Sequence, residues 1–208
     1  MKKLVLITNF LCAYYYYAAR DAAKSAVTQK LPESLQNAIV ALIMSQCALE
    51  GYINYIICKN RIASKIVKVG DPLSPKCKCL DSVSIRDKWA HVPIIVANRY
   101  WTMNAAPFKY FAKLVDHRND LVHFDSDKFT HEVAVPDTIA TTGDLMAFTK
   151  NGSWLAGSKI DRAMRMGIAG PLIIHDMITG LHQMMGADAP DFLGADKLLY
   201  SIKIQRDK

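Results

Sequence analysis

The sequence predicts an all-α protein, a helical bundle interrupted by one loop or small β-hairpin near residues 125–157. Hydrophobic residues make up 51% of the 208 residues, which is enough to build a core. Only 8 prolines and 10 glycines are present, so long helices are seldom broken. Apolar residues also recur at helical spacing over long stretches. We expect a single domain over residues 1–208, in which C-terminal helices over 158–204 pack on a core of about 35–125.

The N-terminal part of the chain predicts two long helices. Residues from about 10 to 29 are rich in Ala and Tyr, and the tyrosines Tyr14 to Tyr17 point in all directions around a helix, so only part of them can be buried. The start of the chain imitates a signal peptide, but Thr8 and Asn9 interrupt the apolar run, and we favour a core helix. The second helix begins near Pro32 and extends to about Lys59.

Proline and glycine delimit the later elements. A basic helix to about Val69 precedes a loop, and residues 84–96 predict a short helix that contains Trp89 and is interrupted near Pro93. Pro107 opens the next helix, which runs to about residue 124. A long helix from residue 158 to 185 is expected to kink at Gly170 and Pro171, and a last short helix is expected over 190–204.

The balance of charges is basic, with 26 Lys and Arg against 19 Asp and Glu. The surplus is concentrated between Lys59 and Lys88. A solvated helix face is the simpler interpretation of this region, and a surface that contacts RNA phosphates is the functional one. The lysines proposed for RNA binding are Lys65, Lys68, Lys76, Lys78 and Lys88.

The cysteines and the missing motifs exclude several classes of protein. The five cysteines are an odd number, and Cys77 and Cys79 lack the spacing of a zinc site, so we expect free thiols in a reducing, cytoplasmic compartment. No segment resembles a membrane-spanning helix, and no phosphate-binding loop or nucleophile elbow is present. We therefore expect no membrane association and no cofactor.

An arginine interrupts the apolar face of the predicted fourth helix. At about 100° per residue, the face within roughly 60° of Arg118 carries Phe111, Leu114, Val115, Leu121 and Val122. The flank of this face carries Asp116, Asn119, Asp120 and His123. Since a guanidinium keeps its charge, Arg118 must either pair with a carboxylate, for which Glu50 is the obvious candidate, or open into a polar cleft beside His123.

Three segments in order resemble the HEPN family. Arg118-Asn119 followed by His123 is similar to the R-x4-6-H motif of that family. The run from Ala48 to Asn54, with Glu50, resembles its "LE-x-x-I-N" helix, and Ser84 to Trp89 resembles its "KW" segment. The resemblance covers residues 35–125. It implies a HEPN-like helical bundle, usually homodimeric, and many members are metal-independent endoribonucleases that act as toxins with an antitoxin partner.

The residue types suit RNA cleavage by attack of the 2′-OH on the adjacent phosphorus. His123 is the expected general base or acid, and Arg118 is expected to stabilise the phosphorane. Asn119 would orient the phosphate or the imidazole, with Glu50, Asn54, Asp116 and Asp120 in support. Because Arg118 and His123 diverge by about 140° on an ideal helix, we expect two subunits to share one cleft.

Two other functions compete with the nuclease hypothesis. The resemblance also allows a non-catalytic module that binds RNA, a nucleotide or a protein. A divalent metal held by Asp116, Asp120 and His123 is conceivable, but a solvated acidic edge is the simpler interpretation, and we expect no metal.

Overall fold

The computed structural model describes residues 2–62, 83–122 and 158–193, with side chains from residue 11 onward. Within these ranges the regular elements are all helical, as predicted. They are α1 (Lys2–Thr28), α2 (Glu33–Lys59), α3 (Ile85–Ala97), α4 (Phe108–Val122), α5 (Lys159–Met185) and a 3₁₀ turn (Asp191–Leu193). The predicted insertion at 125–157, the basic helix to Val69 and most of the last short helix lie outside the described residues.

The helices α1 and α2 form a long antiparallel pair built on small side chains. Several alanines are fully or almost fully buried on the two helices: Ala19, Ala23, Ala26, Ala38, Ala41 and Ala48. Tyr16 is completely buried whereas Tyr14 is 60% exposed, which confirms that the tyrosine run is only partly covered. The apolar N-terminal stretch thus contributes a helix to the core from residue 11 onward.

Glycines let α5 approach α2 more closely than a side chain would permit. A Cβ atom on Gly167 would lie 2.0 Å from the carbonyl oxygen of Ala38, and one on Gly170 would lie 2.1 Å from Ser45 Oγ. The helix α5 contacts α1, α2, α3 and α4, so it closes the bundle. The backbones of α2 and α5 therefore pack directly against each other.

The ends of α5 follow from its local sequence. Ser158 Oγ accepts the Asp161 N–H at 3.0 Å and caps the first turn. Gly186 ends the helix in the left-handed conformation with φ 67°. Between these residues the helix continues through Gly170 and Pro171. The predicted span of this helix is confirmed.

The predicted interruption at Pro93 is wrong, because α3 continues through it to Ala97. Pro93 has no N–H to donate to the Trp89 carbonyl one turn earlier. The Trp101 indole Nε1–H donates to that oxygen instead, at 2.9 Å. An aromatic cluster of Trp89, Trp101, Phe108 and Phe111 surrounds this bond, with ring centroids 5.3–6.4 Å apart. Tertiary packing thus replaces the hydrogen bond that proline removes.

One helix in the described part of the chain, α2, has the length and hydropathy of a membrane-spanning segment. Half of its most apolar window is buried inside the bundle. Core helices of globular proteins have the same properties, and α2 contacts α1 and α5 in the bundle.

Candidate functional site

Arg118 lies where the apolar face of α4 reaches the surface. Phe111, Leu114 and Val115 are buried on that face, as predicted from the spacing. One and two turns later, Arg118 and Leu121 are only half-buried, and Val122 is exposed. The guanidinium therefore has apolar neighbours on one side and access to solvent on the other.

Arg118 and Glu50 form no ion pair, so the first of the two sequence-based alternatives for Arg118 is not found. Arg118 Nη1 donates to Asn119 Oδ1 at 3.2 Å. Within residues 2–62, 83–122 and 158–193, no carboxylate oxygen lies within 4.0 Å of this guanidinium. In a half-exposed position the guanidinium can be solvated, so a protein carboxylate is not required to offset its burial.

Glu50 and Arg118 both influence the same thiol, that of Cys47. The pKa of Cys47 is raised, mainly by burial and then by the negative charge of Glu50, whereas the positive charge of Arg118 opposes the shift. The middle of α2 and the C-terminal half of α4 therefore lie close together. The fold thus brings together the two sequence segments that carry Glu50 and Arg118.

The "KW" segment holds the same region together. Trp89 is fully buried and its Nε1–H donates to the carbonyl of Leu49, the residue before Glu50, at 3.2 Å. One turn after Glu50, Asn54 has a buried Oδ1 that accepts no hydrogen bond from the described residues. The segment that carries Trp89 thus meets the segment that carries Glu50 at the middle of α2.

Asp116 has a structural partner on α3. Arg86 Nη2 contacts Asp116 Oδ1 at 2.5 Å and also donates to the carbonyl of Ala112. Asp116 therefore helps to join α3 to α4, and it is not directed at Arg118. The sequence gives no sign of this ion pair, because Arg86 is one of several basic residues and its partner lies on another helix.

His117 is a titratable residue at this site that sequence reasoning passed over. Burial lowers its pKa, while Asp120 on the next turn of α4 opposes this and Arg162 on α5 adds to it. The i,i+3 spacing of His117 and Asp120 is visible in the sequence, but the approach of Arg162 is not. Asp120, predicted to support the site, therefore lies beside His117 on α4.

The remaining predicted residues divide into two groups. His123 follows Val122 directly but lies outside the described residues, as do Lys65, Lys68, Lys76 and Lys78. Lys88, expected to bind RNA, is only 1% exposed on the buried face of α3. It is therefore removed from the RNA-binding set, because a side chain packed into the bundle does not present its charge to a nucleic acid.

The chemistry of the site rests on a cation, Arg118, and the adjacent amide side chain of Asn119. Among the described ranges, no group of three or more His, Cys, Asp and Glu side chains is arranged to hold a metal ion. The Arg118 fork can form two parallel hydrogen bonds with a phosphate, and Asn119 can both donate and accept. Comparisons of the chain with protein-family models, with curated proteins and with solved structures found no match.

Proposed function

We propose that this chain is a metal-independent endoribonuclease of the HEPN type that acts as a toxin or defence protein in the cytoplasm. The observation that supports the proposal is the half-exposed Arg118, which no carboxylate neutralises in the described part of the chain. A cation in this state is ready to bind a phosphodiester, and partial exclusion of water strengthens that contact.

The proposed reaction needs no external nucleophile. The ribose 2′-OH gives its proton to His123 and its oxygen attacks the adjacent phosphorus. The bond to the 5′-oxygen breaks, and that oxygen takes up a proton from an imidazolium. The products are a 2′,3′-cyclic phosphate and a 5′-hydroxyl end. Arg118 stabilises the charge on the phosphorane oxygens, and Asn119 orients either that phosphate or Arg118 itself.

The proximity of α2 and α4 supports the same proposal. Glu50 and Arg118 lie near one thiol, and Trp89 connects its segment to the residue preceding Glu50. The described parts of the three segments, which carry Glu50, Trp89 and Arg118, are thus connected through the middle of α2. A chance match of short motifs would not require them to come together.

Cleavage of total RNA in the presence of EDTA tests the proposal. We expect the wild type to produce fragments with 2′,3′-cyclic phosphate ends, and Arg118→Gln and His123→Ala to lose at least a hundredfold in rate, the scale of a catalytic proton-transfer group. Arg165→Gln is the matched control, since Arg165 is an exposed arginine held by Asp161 on α5. Equal cleavage by the wild type and all variants would refute the catalytic roles of Arg118 and His123.

A folded wild type that binds RNA without cutting it, and that is not toxic on expression, would instead indicate the non-catalytic module. Mixing Arg118→Gln with His123→Ala tests the cleft shared by a homodimer. If each site takes Arg118 from one subunit and His123 from the other, about a quarter of the wild-type activity returns on random exchange. A fully active monomer would refute the shared cleft.

A further inference from the structure

A second site is formed by an open cleft between the loop that precedes α4 and the last turns of α5. Its volume is about 550 Å³, within the range of small-molecule sites. The loop contributes residues 99–102 and 105–107 to one wall, and α5 contributes Asp176, Thr179, Gly180, Gln183 and Met184 to the other. None of these residues belongs to the Arg118 site.

The apolar floor of the cleft is preformed. Trp101 is almost fully buried and its indole N–H is already engaged by the Trp89 carbonyl, so the ring position is fixed. The ring lies against Gly180, where a Cβ atom would come within 2.9 Å of it. Beside this floor Tyr100 is 78% exposed, which leaves its ring available to a flat partner.

Three polar side chains of the cleft, Arg99, Asp176 and Thr179, have few partners among the described residues. Arg99 and Asp176 lie on opposite walls, and within the described ranges no ion pair of 4.0 Å or less joins them. In the described part of the chain, the hydrogen bond found for the Asp176 carboxylate is the one with the adjacent His175, at 3.3 Å. The Oγ1 of Thr179 is buried and has no hydrogen-bond partner among the described residues. A buried hydroxyl in this state costs free energy that a ligand could offset.

We propose that this cleft binds one nucleotide unit. The base stacks on Tyr100, the phosphate is bound by Arg99, and the base edge donates to Asp176. Aromatic stacking accepts any base, whereas a carboxylate accepts hydrogen bonds only and so favours a base with several donors on its edge. Guanine presents two adjacent N–H donors on its pairing edge and uracil presents one, so the cleft prefers guanine.

The nucleotide is either a free mononucleotide or one unit of an RNA strand, and the second source rests on the proposed ribonuclease function. Pro107 at the cleft lies eleven residues before Arg118 on α4, about 16 Å along the helix axis. In the RNA case the cleft selects a base at some distance from the bond that Arg118 and His123 cleave.

Calorimetric titration of the full chain with GMP, UMP and a short guanine-containing RNA tests the proposal. We expect saturable binding of GMP, at least tenfold tighter than that of UMP, and at least tenfold weaker in Tyr100→Ala and Arg99→Gln. Tyr110→Ala is the matched control, because Tyr110 is a tyrosine 50% exposed on α4 that does not line the cleft. Circular dichroism confirms that each variant is folded.

The outcomes separate this proposal from the ribonuclease proposal. Absence of saturable binding by GMP and by RNA, or binding that Tyr100→Ala and Arg99→Gln leave unchanged, would overturn the nucleotide site. Equal affinity for GMP and UMP would overturn the role of Asp176. If RNA binds more tightly than GMP, and if both Tyr100→Ala and Arg118→Gln weaken RNA binding, the nucleotide in the cleft is one unit of an RNA strand. GMP binding that persists without RNA cleavage supports the cleft and refutes only the nuclease.

Discussion

Replacement of Trp101 by Phe should lower the free energy of unfolding, because Pro93 on α3 makes the Trp89 carbonyl depend on the Trp101 indole for its hydrogen bond. In α3, Pro93 leaves the Trp89 carbonyl without its helical donor, and the Trp101 indole supplies one at 2.9 Å. Trp101→Phe keeps most of the aromatic surface and removes the N–H. The carbonyl is then buried without a partner, which costs about 1–3 kcal/mol. A smaller loss of packing adds to this.

A second substitution isolates the hydrogen bond. Pro93→Ala restores a backbone N–H that can reach the Trp89 carbonyl, so Trp101→Phe should cost less in that background. We expect a coupling free energy of about 1–2 kcal/mol between the two positions, within the range of contacting pairs. The loss of packing is common to both backgrounds and cancels in the cycle.

Urea denaturation followed by far-ultraviolet circular dichroism measures all four proteins. In wild type, Trp101→Phe should also lower Tm by roughly 2–4 °C per kcal/mol for a chain of this size. If Trp101→Phe costs the same in the Pro93→Ala background as in the wild type, the indole does not compensate for the proline and the reasoning is refuted. An unchanged stability of Trp101→Phe itself would refute it equally.

The remaining predictions concern packing, pH and a buried charge. Gly167→Ala should destabilise the fold by about 3 kcal/mol or more in urea denaturation, since its Cβ would meet the Ala38 carbonyl. Gly186→Ala should cost only about 1 kcal/mol, because the added Cβ lies in open space and only the left-handed backbone at φ 67° is unfavourable. Equal costs of the two substitutions would contradict the direct contact between the backbones of α2 and α5. Burial lowers the pKa of His182 below its ordinary value of 6.5, so the unfolded chain binds more protons, and the free energy of unfolding should fall as the pH drops through 6.5 and below. His182→Gln should flatten this profile, and an unchanged slope would exclude His182 as its source. In thermal unfolding, Lys88→Met should leave the free energy of unfolding within about 0.5 kcal/mol of the wild-type value or raise it. The same substitution should not weaken RNA binding measured by gel shift. A loss of RNA affinity would return Lys88 to the RNA-binding surface.

The sequence predicted the helices well where local signals were strong. Ser158 and Gly186 delimit α5 through a side-chain cap and a left-handed ending, both of which depend on residues a few positions apart. The apolar spacing of Phe111, Leu114 and Val115 likewise predicted the buried face of α4. At Pro93 the local rule failed, because the compensating donor comes from a different element.

The candidate site was predicted less completely. Arg118 Nη1 donates to Asn119 Oδ1, as side chains of neighbouring residues can, and the catalytic roles of both residues stay predictions. Glu50, which the sequence offered as one alternative partner of Arg118, does not pair with it, and Asp116 pairs with Arg86 on α3. Lys88 was assigned to the surface from its charge alone, yet its helix turns it inward. Each of these outcomes depends on distances between helices, which spacing along the chain does not encode.

By itself the sequence determined the all-helical composition, the ends of α5 and the amphipathic face of α4, because hydrophobic periodicity and capping act within one or two turns. Only the tertiary structure decided which polar groups find partners. It paired Arg86 with Asp116, left Arg118 without a carboxylate among the described residues, and formed the cleft beside Trp101. The physical reason is that hydrogen bonds and ion pairs require atoms within about 3–4 Å, and only the packing of whole helices brings such atoms together.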